Sequence, residues 1–162
     1  MTPLEAAREV EKFKKKIQTG CEQLVKRLAQ EGQEIASMKF GSAIYAGYND
    51  VHVEVEEDGK AKVLVIALGN AVLFIEFGTG VRYPTPHPEA GKFGFTRGGY
   101  GQGRGANPKG WFYKGDPGNA GEPARQRPGM MHTYGNPANR CMYGTVRELE
   151  EHYRELVKEC FK

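Results

Sequence analysis

The sequence predicts a single α+β domain: a long N-terminal helix, a small antiparallel sheet of about three to five strands, a long insertion and a C-terminal helix. Three observations predict it. Apolar residues recur at steps of three or four near both ends of the chain. Strict alternation of apolar and polar residues occupies positions 51–56. Eleven of the 22 glycines fall between residues 83 and 127. A chain of 162 residues has material for one core, so residues 1–162 are read as one domain.

The first helix opens on Thr2-Pro3-Leu4-Glu5. Thr2 supplies an N-cap hydroxyl, Pro3 suits the first helical position, and Glu5 can close a capping box. Val10, Phe13, Ile17, Cys21, Leu24 and Leu28 then form one apolar stripe. The charges of Lys12, Lys14, Lys15, Lys16, Lys26 and Arg27 lie mostly off it. Gly32 is the predicted stop, which gives a helix about 40 Å long at about 1.5 Å per residue.

A β section follows. Val51, Val53 and Val55 alternate with His52, Glu54 and Glu56, the pattern of a strand with one wet face. Asp58-Gly59 signals a tight hairpin turn. The return strand, Ala61 to Leu68, is apolar on both faces and is therefore predicted to be central. Gly69-Asn70 leads into a third apolar segment, Ala71 to Phe77, read as the last strand of a meander that ends at Gly78-Thr79-Gly80.

Residues 83–127 are read as an extended arm or insertion. They hold 11 glycines and six prolines, yet also seven of the 17 aromatic residues: Tyr83, Phe93, Phe95, Tyr100, Trp111, Phe112 and Tyr113. Disordered linkers are poor in aromatics, so this arm is expected to pack, either on its own domain or on a neighbouring subunit. Phe93-Gly94-Phe95 and Trp111-Phe112-Tyr113 have the makings of a small extra hairpin. In the last helix, Asn136-Pro137 is read as cap and first turn, and Met142, Val146, Leu149, Tyr153, Leu156 and Cys160 as the apolar stripe.

The residues offer little chemistry. Cys21, Cys141 and Cys160 are odd in number and far apart, so free thiols are expected rather than a disulfide framework. His52, His87, His132 and His152 sit in four different contexts without metal-ligand spacing. No metal and no cofactor is expected. The chain has no leader-like start and no apolar run of spanning length, so no membrane partner is expected either. Glu54 and Glu56, with His52, are the best candidates for acid–base work, but alternation places them on a solvated strand face. Glu76 stands among Phe74, Ile75 and Phe77; a buried acid needs partners, and an arginine or backbone amides are expected to meet it. The glycines of 98–105 fit neither phosphate-loop pattern. Arg97 and Arg104, beside Tyr100, suggest a second reading as a small nucleic-acid-binding module, although a net charge of +3 gives little steering.

The run Asn70-Ala71-Val72-Leu73-Phe74-Ile75-Glu76-Phe77-Gly78-Thr79-Gly80 resembles the signature of the tail-component, or tail-completion, family of long-tailed bacteriophages. In that family an apolar run after a β-hairpin ends in Glu-Phe-Gly-Thr, here Glu76, Phe77, Gly78 and Thr79. The order of elements is similar too, with a C-terminal helix entered from a stretch holding Pro and Met, here Gly121-Glu122-Pro123-Ala124 and Pro128-Gly129-Met130-Met131. The likeness spans residues 3–80 and 121–160; the insertion from Tyr83 to about Gly121 departs from it. The resemblance implies a structural, non-enzymatic virion protein at the head–tail neck, assembled in the host cytoplasm. It implies a homo-oligomeric ring, often hexameric, that joins or terminates the tail beside other neck, connector or tail proteins. DNA would pass through its channel without sequence-specific contact. In that setting the aromatic residues of the arm are the candidate inter-subunit contacts.

Overall fold

The computed structural model describes residues 2–80, 82–83, 86–95 and 107–161. Its described elements are α1 (Pro3–Gly41), β1 (His52–Glu57), β2 (Val63–Leu68), α2 (Val72–Phe77), β3 (Trp111–Tyr113), β4 (Glu122–Pro123), β5 (Met131–Thr133) and α3 (Cys141–Cys160). The α+β class predicted from the sequence is the class observed.

The capping box forms as the sequence predicts: the Thr2 amide donates to Glu5 Oε2 at 2.7 Å, and the Glu5 amide donates to Thr2 Oγ1 at 3.3 Å. The helix does not stop at Gly32. It runs for 39 residues, roughly 58 Å at 1.5 Å per residue, and ends where the Ser42 amide and hydroxyl both donate to the Met38 carbonyl. Gly32 serves packing instead. A Cβ there would lie 3.2 Å from Leu149 Cδ1, and one at Gly20 would lie 2.7 Å from Phe161 Cε1. The two glycines let α3 lie close along α1, antiparallel to it.

Only the C-terminal part of α1 belongs to the core. Leu24, Ala29, Ile35, Ala36 and Phe40 are buried, whereas Val10, Phe13, Ile17 and Cys21 of the predicted stripe are exposed. The stripe is real, but its first half extends beyond the body. Across the helix pair, Arg27 meets Glu159 at 2.7 Å, Lys39 meets Glu148 at 3.0 Å, and His152 Nδ1 meets Glu31 at 2.6 Å. The hydrogen bond that His152 donates to Glu31 raises the His152 pKa. A raised folded-state pKa adds stability that is full below about pH 6.5 and fades as pH rises through the folded value. His152→Gln is therefore expected to flatten the pH dependence of the unfolding midpoint just above that pH, as denaturation at several pH values would show.

β1 and β2 form an antiparallel pair with Val53 opposite Ala67 and Val55 opposite Val65. These four face α1, and His52, Glu54 and Glu56 form the wet face that alternation predicts. β2 is not central, because this sheet has two strands. Its turn is wider than two residues: the Asp58 amide donates to the Lys62 carbonyl at 2.9 Å.

The third apolar segment is a helix, not a strand. Ala71 and Ile75, one helical turn apart, are buried, while Leu73 is exposed. A short apolar run has no periodicity that separates buried strand from buried helix. Asp50 decides the matter locally, since its carboxylate accepts the amides of Asn70 at 2.9 Å and Ala71 at 3.0 Å at the start of this turn. Those amides hold the Asp50 pKa below its ordinary value.

Residues 111–133 carry a second sheet in the order β3-β5-β4. Trp111-Phe112-Tyr113 pairs with Met131-His132-Thr133, not with Phe93-Gly94-Phe95 as the sequence suggested. The α3 face also differs from prediction. Cys141, Thr145 and Leu156 are buried, whereas Val146 and Tyr153 are exposed. The core gathers Ala36, Phe40, Ala43, Val53, Ala71, Ile75 and Cys141. Burying one side chain of the size of Ile75 contributes about 1.5–3 kcal/mol. Among the described residues no helix is long and apolar enough to cross a membrane.

Candidate functional site

Glu76, Phe77, Gly78 and Thr79 occupy the junction where α2, α3 and the inserted segment meet. Each of the four makes a different connection.

Glu76 is 5% exposed. Its carboxylate accepts the amide of Met142 at 2.8 Å through Oε2 and that of Tyr143 at 3.0 Å through Oε1. These are first-turn amides of α3, which carry no partner within the helix itself. A carboxylate at that end also meets the positive pole of the helix dipole. Asn136-Pro137 is therefore not the cap. α3 begins at Cys141, with Arg140 in left-handed conformation at φ 56°, and its capping acid comes from α2. Backbone amides do meet Glu76, as the sequence predicts, together with a histidine that it did not indicate. His87 Nε2 lies 3.1 Å from Glu76 Oε1, and His87 Nδ1 accepts the amide of Glu89 at 3.0 Å. An Nδ1 that accepts assigns the ring proton to Nε2, which donates to Glu76.

Phe77 gathers aromatic rings. Phe95 stacks on it at a centroid distance of 4.2 Å, Phe93 lies at 5.7 Å, and His87 at 4.5 Å. Tyr143 stands edge-on to His87 at 5.3 Å. Gly78 leaves α2 at φ 73° and ψ 174°, a region essentially confined to glycine. A Cβ there would sit 2.6 Å from the Ala138 nitrogen. Thr79 exchanges backbone hydrogen bonds with Asn136 at 2.9 and 3.0 Å, and its hydroxyl accepts from Asn136 Nδ2 at 3.1 Å.

Three asparagines extend the junction to the loop after α1. The successive amides of Ile44, Tyr45 and Ala46 donate to the side chains of Asn139 at 2.8 Å, Asn119 at 2.7 Å and Asn136 at 2.5 Å. A loop without ladder partners must satisfy its amides in some such way. Sequence reasoning missed these three because an asparagine within two residues of proline or glycine reads locally as a turn or a cap. Their partners lie 74 to 95 residues away.

Five of the seven candidate arm residues fall into two groups. Phe95 and the more exposed Phe93 join Phe77. Trp111, Phe112 and Tyr113 are half-buried in β3; Arg127 lies over the Phe112 ring at 4.5 Å, and the Tyr113 hydroxyl donates to the Asp116 carbonyl at 2.9 Å. Tyr83 is exposed. Arg97, Tyr100 and Arg104 lie outside the described residues.

At this junction the contacts tie α2, α3 and the inserted segment to one another. Both nitrogens of His87 are engaged, and Glu76 meets two amides besides. Cys141 is 1% exposed, and its thiol is pushed up to about 12, by burial first and by Glu76 second. That disfavours the thiolate a nucleophile needs. Cys21 is exposed. An alkylating reagent is therefore expected to label Cys21 rapidly and Cys141 only on unfolding, as peptide mass mapping would show. His52, Glu54 and Glu56 stand on the open outer face of the hairpin, His52 Nε2 lying 3.5 Å from Glu54, not in a cleft. Among the described residues no three His, Cys, Asp or Glu side chains are grouped to hold a metal ion.

Comparison of the chain with protein-family models, with curated proteins and with solved structures finds no match.

Proposed function

We propose that this chain is a non-enzymatic assembly subunit of a tailed bacteriophage, a tail-completion or neck protein that forms a ring around the DNA path. One observation carries the reading: the Glu-Phe-Gly-Thr sequence on which the phage resemblance rests has a demanding job at every position. Glu76 caps α3 from α2, Phe77 seats Phe95, Gly78 makes a turn that crowds out any Cβ, and Thr79 ties the chain to Asn136. Four positions so constrained are the kind of segment that keeps its residues when the rest of a chain drifts. That supports a likeness of fold and role rather than a chance match of four letters.

A structural role also suits a body whose buried acid and histidine, Glu76 and His87, are engaged with backbone and aromatic neighbours. In this reading the protein resides in the virion at the head–tail junction, and its partners are further copies of itself and adjoining neck, connector or tail proteins. Among the described residues, exposed Tyr83 and Phe93 are the arm residues left for such neighbours. Phage particles assembled without the chain are expected to accumulate as separate heads and tails that join when the purified protein is added. Normal yields of joined, infectious particles without it would defeat the proposal.

A further inference from the structure

Among the described residues, two apolar faces are uncovered, and the charges beside them are opposite. The first lies on the free half of α1. Residues 3–19 are exposed on all sides apart from Ala6, yet Val10, Phe13 and Ile17 share one face there, at 65%, 65% and 40% exposure. With about 100° per residue, Lys14 and Lys16 flank that face on either side. Neither lysine has an ion pair among the described residues, whereas Lys12 already meets Glu9 at 2.8 Å.

The second face is the outer side of the β1–β2 hairpin. Its inner side packs on α1, so alternation turns Leu64, Ile66 and Leu68 outward beside Glu56, Glu54 and His52, their cross-strand partners. Leu64 and Leu68 are 38% and 39% exposed. The result is an apolar row with an acidic row alongside. A two-stranded sheet with a helix on one face only is marginal as a layer. A second helix on the outer side would complete it.

The dimensions agree. The 17 residues of the free helix span roughly 25 Å, and strands of six residues span roughly 20 Å. The helix is continuous from Pro3 to Gly41, so its free half cannot fold back onto its own hairpin. The chain already shows the chemistry within one molecule, where Lys26 of α1 meets Glu57 at the hairpin end at 2.9 Å.

We propose that the free half of α1 docks on the outer face of the β1–β2 hairpin of a second copy of this chain. Val10, Phe13 and Ile17 cover Leu64, Ile66 and Leu68, and Lys14 and Lys16 meet Glu54 and Glu56. Helix and hairpin are different surfaces, so the contact is head-to-tail; every copy gives one and receives one, and the series closes on itself as a ring. Such a contact is small for an isolated pair. Closure makes the last contact intramolecular, and the ring is then more stable than any single contact. This inference rests on the ring reading above and specifies its interface.

Charge exchange tests it on the full-length protein. Lys14→Glu/Lys16→Glu and Glu54→Lys/Glu56→Lys are each expected to reduce the native mass to the 18.0 kDa monomer, with the circular dichroism spectrum of the folded chain unchanged because all four side chains are exposed. Combining the four substitutions in one chain is expected to restore the wild-type oligomer. An antiparallel pairing of two free helices would leave the Glu54→Lys/Glu56→Lys variant associated as before, and that outcome overturns the proposal. A ring that survives both double variants overturns the interface while sparing the ring reading. A wild-type chain that is monomeric throughout overturns both.

Discussion

Replacing Glu76 with alanine is expected to destabilise the domain by about 3–5 kcal/mol, because three donors lose their acceptor at about 1–3 kcal/mol each. Glu76 is 5% exposed, and its carboxylate is shared by Met142, Tyr143 and His87. Truncation leaves two first-turn amides of α3 and one imidazole without an acceptor, and buried orphans are costly. At about 2–4 °C per kcal/mol for a chain of this size, the thermal midpoint should fall by roughly 10 °C. Glu76→Gln should cost less, about 1–3 kcal/mol. One amide oxygen still accepts, but the new NH2 group faces groups that themselves donate. Chemical denaturation of the three proteins measures the order. Equal midpoints for wild type and Glu76→Ala would mean that α3 does not depend on this acid.

Gly78→Ala is expected to have the second largest effect. Its φ of 73° with ψ of 174° costs a side-chain-bearing residue about 1–3 kcal/mol. The Cβ would also press on backbone, at 2.6 Å from the Ala138 nitrogen and 2.8 Å from the Asn136 oxygen. Forced overpacking adds about 1–3 kcal/mol. Gly59→Ala makes the control, because φ there is 100° but nothing lies within 4 Å of the added carbon. It should lose the conformational part alone. A Gly78→Ala variant no less stable than Gly59→Ala would show that the α2 exit is not crowded by the 136–138 segment.

Parts of this architecture are legible in the chain and parts are not, for a consistent physical reason. The Thr2–Glu5 capping box, the wet face of β1 and the need of Glu76 for partners are local patterns, and all three form. Gly32 misleads because a glycine inside a helix reads as a stop, whereas here α3 requires the space. Ala71 to Phe77 misleads because six apolar residues satisfy strand and helix alike; Asp50, about 20 residues earlier, tips the balance. The cap of α3 comes from a residue 66 positions upstream, beyond any window of local pattern. Asn119, Asn136 and Asn139 are invisible for the same reason. The sequence marks Glu76 to Thr79 as unusual, but only the fold shows the four positions acting on one junction.

The closed, head-to-tail ring is the claim on which the functional reading depends. Native mass spectrometry of the purified full-length chain tests it most directly. The expected result is one dominant species at an integral multiple of 18.0 kDa, a hexamer being the size that the phage resemblance implies. A monodisperse 18.0 kDa species at every concentration would contradict it.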